Sequence, residues 1–259
     1  MKDNRRQIAV FDSGVGGISV LRELVKALPH ELFLYYGDSA NAPYGTKTTE
    51  QVIDLTTRHI GELIDRGAKA VVIACNTATS AAAEILREKY PLIPIIGIEP
   101  ALKTAVMSGS HPRVLVMATP MTLRLEKFHR LMDRYESLGQ VYLLPCPGLA
   151  ELVEQGELRG EKIESYLNKL LRDYRDNAVD AAVLGCTHYP FVKPVIASIL
   201  GDRVQIFDGS RGTARELTRR LEAEGLMYTG SEPGGVVFEN SRSTPGELEL
   251  CRMLFEAEI

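Results

Sequence analysis

Two cysteines share the same sequence setting. Val71-Val72-Ile73-Ala74-Cys75-Asn76-Thr77 and Ala182-Val183-Leu184-Gly185-Cys186-Thr187-His188 follow one plan: an apolar strand, a small residue, a thiol, then polar residues opening a helix. The thiols lie 111 positions apart. Each is expected just past the carboxyl end of a central strand, where open α/β sheets place their ligands. A helix N-terminus there would lower a thiol pKa from about 8.5 toward neutrality through its dipole and free N–H groups. Two such groups suit inversion of a carbon centre, one removing the α-proton while the other returns a proton to the opposite face. With each sulfur about 3–3.5 Å from the carbon, the pair would stand roughly 6–7 Å apart, which excludes a disulfide. Asn76, Thr77, Thr187 and nearby helix N–H groups are the candidate donors to an α-carboxylate that gains charge in the enediolate-like intermediate. A cysteine after an apolar strand is more often a core residue, so spacing and context alone leave the pair open between packing and catalysis.

The other cysteines lack this setting. Cys146 sits between two prolines and Cys251 lies in a helical C-terminal pattern, so both read as structural. No CxxC pair or Cys/His cluster has zinc-ligand spacing, and no metal is expected. The first strand ends in Phe11-Asp12-Ser13-Gly14-Val15-Gly16-Gly17, a turn that invites a dinucleotide-binding reading. A GxGxxG match from Gly14 would need glycine where Ser19 stands, and no GxxxxGK[ST] loop occurs. The turn can still bring backbone N–H groups close to a small carboxylate. Asp12, at the strand's end, reads as a turn aspartate or a site residue.

These residues need a scaffold, and the hydropathy pattern supplies one. Short apolar runs at Ile8–Phe11, Leu32–Tyr36, Ala70–Ala74, Ile95–Ile98, Val114–Met117, Val141–Leu144, Ala181–Leu184, Val204–Phe207 and Gly235–Phe238 alternate with helical stretches. Near-continuous apolar strands suit parallel sheets covered on both faces, so the fold class is α/β, doubly wound. Thr48 and Gln51 form a candidate capping box for a helix running to about Arg66 and stopping at Gly67. Tyr228 to Gly234, rich in Gly, Ser and Pro, reads as a surface loop.

Composition limits the partners. The 259 residues carry a formal net charge of −4 with 45% apolar and 25% charged residues. That balance suits a soluble enzyme of one or two domains, with no electrostatic reason to bind nucleic acid or an acidic membrane surface. The apolar run after Arg6 is far too short for a signal peptide or membrane span, so a cytoplasmic location is expected.

Four segments together carry a resemblance: Asp12 to Gly17, Tyr36-Gly37-Asp38-Ser39-Ala40-Asn41-Ala42-Pro43-Tyr44-Gly45, Ala74-Cys75-Asn76-Thr77-Ala78 and Leu184-Gly185-Cys186-Thr187-His188-Tyr189-Pro190. They resemble the glutamate racemase family from Ile8 to about Gly209. The cysteine motifs alone are shared with the wider aspartate/glutamate racemase group. The resemblance implies a pyridoxal-independent, metal-independent racemase, with no cofactor, that supplies D-glutamate for peptidoglycan. It implies two pseudo-symmetric α/β domains with the active site in the cleft between them, residues 1–97 with 208–259 in one and 98–207 in the other. It further implies that Cys75 works on D-glutamate with help from Asp12, and Cys186 on L-glutamate with help from His188. Asp12, Ser13, Tyr44, Gly45, Asn76, Thr77, Thr187 and His188 match positions that hold the substrate, with Thr119 a weaker match. A supporting glutamate falls on Glu154 by register, although Gly148 to Glu151 depart from the family pattern and leave Glu151 as the alternative. Family members are monomers or homodimers, and the only partner implied is the small-molecule substrate. The competing readings are an aspartate or related racemase, a dinucleotide-dependent α/β enzyme and a non-catalytic amino-acid-binding protein.

Overall fold

The structure, a computed structural model, describes residues 4–257. The chain begins with β1 (Ile8–Asp12), α1 (Ile18–Ala27), β2 (Leu32–Gly37), α2 (Thr49–Asp65), β3 (Ala70–Ile73), α3 (Asn76–Lys89) and β4 (Ile95–Gly97). Next come α4 (Leu102–Val106), β5 (Arg113–Ala118), α5 (Pro120–Arg124), α6 (Glu126–Tyr135), β6 (Gln140–Pro145) and α7 (Leu149–Glu154). They are followed by α8 (Glu161–Leu170), β7 (Ala181–Leu184), α9 (Lys193–Leu200) and β8 (Gln205–Asp208). α10 (Ser210–Ala223), β9 (Gly235–Asn240) and α11 (Pro245–Glu256) complete it. All nine strands expected from the apolar runs form, with no end displaced by more than two residues. Tyr228 to Gly234 is irregular, as its composition suggested.

The strands build two sheets, ordered β4-β3-β1-β2-β9 and β6-β5-β7-β8, and every neighbouring pair is parallel. Side chains on a strand alternate between faces, so a strand buried on both faces must be apolar throughout. In β1, Ile8 and Val10 join a core with Ile18, Leu21 and Leu24 of α1 and Leu217 and Leu221 of α10. Ala9 and Phe11 point to the other face, among Val52 and Ile60 of α2 and Ala78 and Ala82 of α3. The second sheet repeats this division. Leu115 and Met117 of β5 face α8 and α9 through Ile163, Leu167 and Ile196, while Val114 and Val116 face Leu102 and Phe128 of α4 and α6. Each fully buried Leu, Ile, Val or Phe contributes about 1.5–3 kcal/mol.

One of these cores is continuous between the sheets, taking in Val15 beside Leu149, Val153 and Tyr189. It presses the turn after β1 against α7 and the segment after β7. Helix boundaries follow local signals: at α2, Thr48 Oγ1 accepts from Gln51 N at 3.3 Å and Gln51 Oε1 accepts from Thr48 N at 3.0 Å. Past its end, Gly67 takes φ 94°, a conformation that favours glycine. Among the described residues no helix is long and apolar enough to cross a membrane.

Candidate active site

The carboxyl ends of the two sheets face each other around a cavity of about 330 Å³, at the small end of the usual ~300–1,000 Å³ for small-molecule sites. Ser13 follows β1, Cys75 follows β3, Thr119 follows β5, Cys146 follows β6 and Cys186 follows β7, and all five line it. Of the residues singled out from sequence, Tyr44, Gly45, Asn76, Thr77, Thr187, His188, Glu151 and Glu154 also reach the wall. Asp12 does not: it is fully buried behind Ser13 and Thr187. Its Oδ1 accepts from Gly14 N at 3.0 Å, and its Oδ2 accepts from the Thr187 hydroxyl at 3.1 Å.

Cys75 occupies the N-cap of α3, where its sulfur accepts from Ala78 N and from the Ser13 hydroxyl, each at 3.4 Å. The expectation of a lowered pKa at this position is overturned. Burial, followed by the charge of Asp12, pushes the thiol up to about 12, outweighing the donors at the helix terminus. Desolvation is set by the packing of the whole fold around the sulfur, which local sequence does not report. Cys186 departs from its expected setting too: a 3-10 turn, Tyr189–Val192, intervenes before α9, so no α-helix opens at this thiol.

The partner of Cys186 is instead an imidazole. His188 Nδ1 lies 3.5 Å from the sulfur, and His188 Nε2 lies 2.6 Å from Glu154 Oε1. Burial works against a charge on His188, yet hydrogen bonds to Cys186 and Glu154 and their negative charges hold the imidazole well above its ordinary value. Burial likewise opposes charge on Glu154. The hydrogen bond and charge of His188, the Val15 N–H and the charge of Arg242 outweigh it and hold the carboxyl below the usual range. Asp12 lies above that range, because burial exceeds the pull of His188 and of its own donors.

The glycine-rich turn does bring N–H groups to carboxylates, but these belong to the protein: Gly14 N serves Asp12 and Val15 N donates to Glu154 Oε1 at 2.9 Å. Gly14 and Gly16 permit the approach. A Cβ at Gly14 would collide with the Glu154 carboxylate, and one at Gly16 with the His188 ring.

Opposite, hydroxyls bridge the sheets, with Thr77 Oγ1 at 3.2 Å from Thr119 Oγ1 and 3.0 Å from Thr122 Oγ1. Asn76 Oδ1 is buried without a hydrogen-bond partner. Tyr44 is set by Asp38, whose Oδ2 accepts from the phenol at 2.7 Å and lies 3.3 Å from His59 Nε2.

Sequence reasoning missed Thr122, Ser39 and Arg242. Ser39 donates to Glu154 Oε2 at 3.5 Å, and Arg242, from the turn after β9, reaches the cavity wall. Nothing in the local pattern of the last segment marks that arginine. Cys146 lies on the wall as well, but its Sγ donates to Leu144 O at 3.3 Å and burial raises its pKa. No cluster of three His, Cys, Asp or Glu placed to hold a metal exists among the described residues.

A family model for Asp/Glu/Hydantoin racemase matches residues 8–217. The chain belongs to the Asp/Glu/Hydantoin racemase family. Within this racemase family, the glutamate racemase of Clostridium acetobutylicum is 51% identical over 256 residues, spanning 99% of this chain and 100% of that protein. The crystal structure of Francisella tularensis glutamate racemase in complex with D-glutamate superposes with a TM-score of 0.84 at 30% identity, covering 99% of this chain and 96% of that one. Escherichia coli glutamate racemase, solved in complex with L-glutamate and activator UDP-MurNAc-Ala, gives a TM-score of 0.85 at 29% identity over 96% and 94% of the two chains. The racemase family fold, two α/β units with mainly parallel sheets and the cavity between them, is thus the fold of this chain.

Proposed function

We propose that the protein interconverts L- and D-glutamate by proton exchange at Cα, with Cys75 and Cys186 as acid and base on opposite faces and no cofactor. The observation that carries this reading is the pairing of two thiols, from matching strand ends of two sheets, on one small cavity with unlike partners. Cys75, raised by burial and flanked by Ser13, is a thiol. Cys186 faces the His188 imidazole, which Glu154 holds through its other nitrogen, an acid–base partner that Cys75 lacks. The substrate assignment rests on the glutamate racemases above, matched over nearly the whole chain.

In this reading Cys186 acts on the L isomer. The Cys186 thiolate takes the α-proton, and Cys75 delivers its proton to the other face, giving D-glutamate. One proton has entered at Cys186 and one has left Cys75, so Cys75 is now the thiolate and is set to act on D-glutamate. His188 beside Cys186, and Asp12 behind Cys75 with its pKa raised by burial, serve the return. Asn76 Oδ1, unpartnered on the wall, accepts from the substrate ammonium, and the hydroxyls of Thr77, Thr119 and Thr187 with Ser13 hold the α-carboxylate. Tyr44 and Gly45 bound the side-chain end.

We assign residues 1–97 with 208–259 to one domain and 98–207 to the other, supported by the division of strands between the sheets. The product, D-glutamate, is a peptidoglycan building block, and a cytoplasmic enzyme with its small-molecule substrate as partner fits that role.

The test is circular dichroism of metal-free protein with L-glutamate in deuterated water, without pyridoxal phosphate. Rotation should decay to zero with deuterium entering at Cα. Stable rotation with glutamate but decay with aspartate would overturn the substrate assignment, and silence with both would overturn racemisation of either acid.

A further inference from the structure

Arg242 is the single Lys or Arg side chain on the cavity wall among the described residues. The His188 imidazole is engaged by Glu154 and Cys186 in the depth of the site, and the carboxylates of Glu151 and Glu154 add acidic charge on a chain of net charge −4. An anionic substrate therefore approaches against the field of the protein and needs a local cation to reverse it.

The turn that carries Arg242 is firmly built. Arg242 N donates to Asn240 Oδ1 at 2.9 Å, and both the N and Oγ of Ser243 donate to Asn240 O at 3.0 Å. That turn is tied to the cavity loop: Asn240 Nδ2 donates to Ser39 Oγ at 2.9 Å and Ala40 N donates to Ser241 Oγ at 2.9 Å. The same loop continues into Tyr44 and Gly45. By contrast, the guanidinium itself is loosely held. Its ion pair with Glu247 spans 3.9 Å, against 2.6 Å for Arg66–Glu239 and 2.8 Å for Arg113–Asp180, and the side chain is 51% exposed. A cation with a fixed root and a free head, exposed like the wall residues Thr46 and Gln155, belongs to the mouth rather than to the depth of the cavity.

We infer that Arg242 is a specificity residue that draws the acidic amino acid into the cavity by pairing with a carboxylate at its mouth. The inference rests on the glutamate reading above and gives the last segment of the chain a part in the reaction. Arginine suits the task, because its planar fork meets a carboxylate in two parallel hydrogen bonds and stays charged at every working pH. An attraction at the mouth acts on encounter, so its signature is a salt-dependent kcat/KM.

The experiment is steady-state racemisation of L- and D-glutamate by the wild type, Arg242→Gln and Arg242→Lys, across a range of sodium chloride concentrations, with folding checked by circular dichroism. At low salt Arg242→Gln should lower kcat/KM roughly tenfold, mostly through KM, with the gap closing as salt rises. Arg242→Lys should keep most of the wild-type value and its salt slope. The loss must be equal in the two directions, since the isomers have equal free energy. A wild-type value and slope in Arg242→Gln would overturn the inference. So would a salt-independent loss confined to kcat, which would place the arginine's effect on Glu154. A wild type inert toward glutamate would instead overturn the substrate reading beneath it.

Discussion

His188 Nε2 and Glu154 Oε1 lie 2.6 Å apart, joining the segment after β7 to the end of α7, and the same carboxylate oxygen receives the Val15 N–H from the other sheet. This one oxygen therefore couples the charge of an imidazole to the contact between the two halves of the molecule. Charge-assisted bonds of this kind are short and about twice as strong as neutral ones.

The first prediction concerns pH. The negative charge of Glu154 is among the causes that raise His188. Removing it in Glu154→Gln lets the imidazole lose its proton at lower pH, so the alkaline fall in kcat/KM should move to lower pH. The value at the optimum should drop by about 10²-fold, within the range for acid–base support. The profiles for L- and D-glutamate must shift together, because kcat/KM is equal for two isomers of equal energy. An alkaline limb that stays in place in Glu154→Gln would remove the carboxylate from this role.

Single-thiol variants separate the faces of the carbon. Cys75→Ser and Cys186→Ser should each lose racemisation by at least about 10³-fold. In deuterated water, Cys75→Ser should still exchange the α-proton of L-glutamate, and Cys186→Ser that of D-glutamate, each with retained configuration. Exchange of both isomers by one variant, or of neither by either, would show that the thiols do not divide the work.

Gly16 is predicted to be intolerant of a methyl group for a reason outside its own backbone. An added Cβ would press on the His188 ring, which Glu154 and Cys186 hold from both nitrogens. Gly16→Ala should lower kcat by about 10²-fold, as expected for displacement of a reacting group by about 1 Å. Overpacking should cost about 1–3 kcal/mol in urea unfolding. Full activity in the alanine variant would mean that the ring is free to move.

Lys69 tests stability away from the cavity. Its Nζ meets Glu31 Oε2 at 2.6 Å with the lysine side chain wholly buried, and it also donates to Leu226 O at 2.9 Å. Glu31 Oε1 accepts from Tyr228 N at 2.8 Å, so the pair pins the loop after α10 to the start of β3. Lys69→Met leaves Glu31 buried and unpaired and should cost about 3–5 kcal/mol, while adding Glu31→Leu should recover part of it. Chemical denaturation of the three proteins decides this. A single variant within about 0.5 kcal/mol of the parent would rule out the penalty.

What local sequence determines here is considerable. The apolar runs place all nine strands; in the central ones burial on both faces of a parallel sheet leaves no polar position, as in Ile8 to Phe11, while the edge strands β6, β8 and β9 keep shorter apolar runs beside exposed residues. The capping box at Thr48 and the repeated thiol motif are equally local and equally legible. Tertiary packing decides the rest. Whether Glu154 turns toward His188, whether Ser39 and Thr122 join the site, and whether Arg242 reaches the cavity depend on segments brought together from opposite ends of the chain. The thiol of Cys75 shows the physical reason most directly. A helix N-terminus can be read from a few neighbouring residues and argues for a lowered pKa. The dielectric around the sulfur depends on everything packed over it, and that larger effect raises the pKa instead.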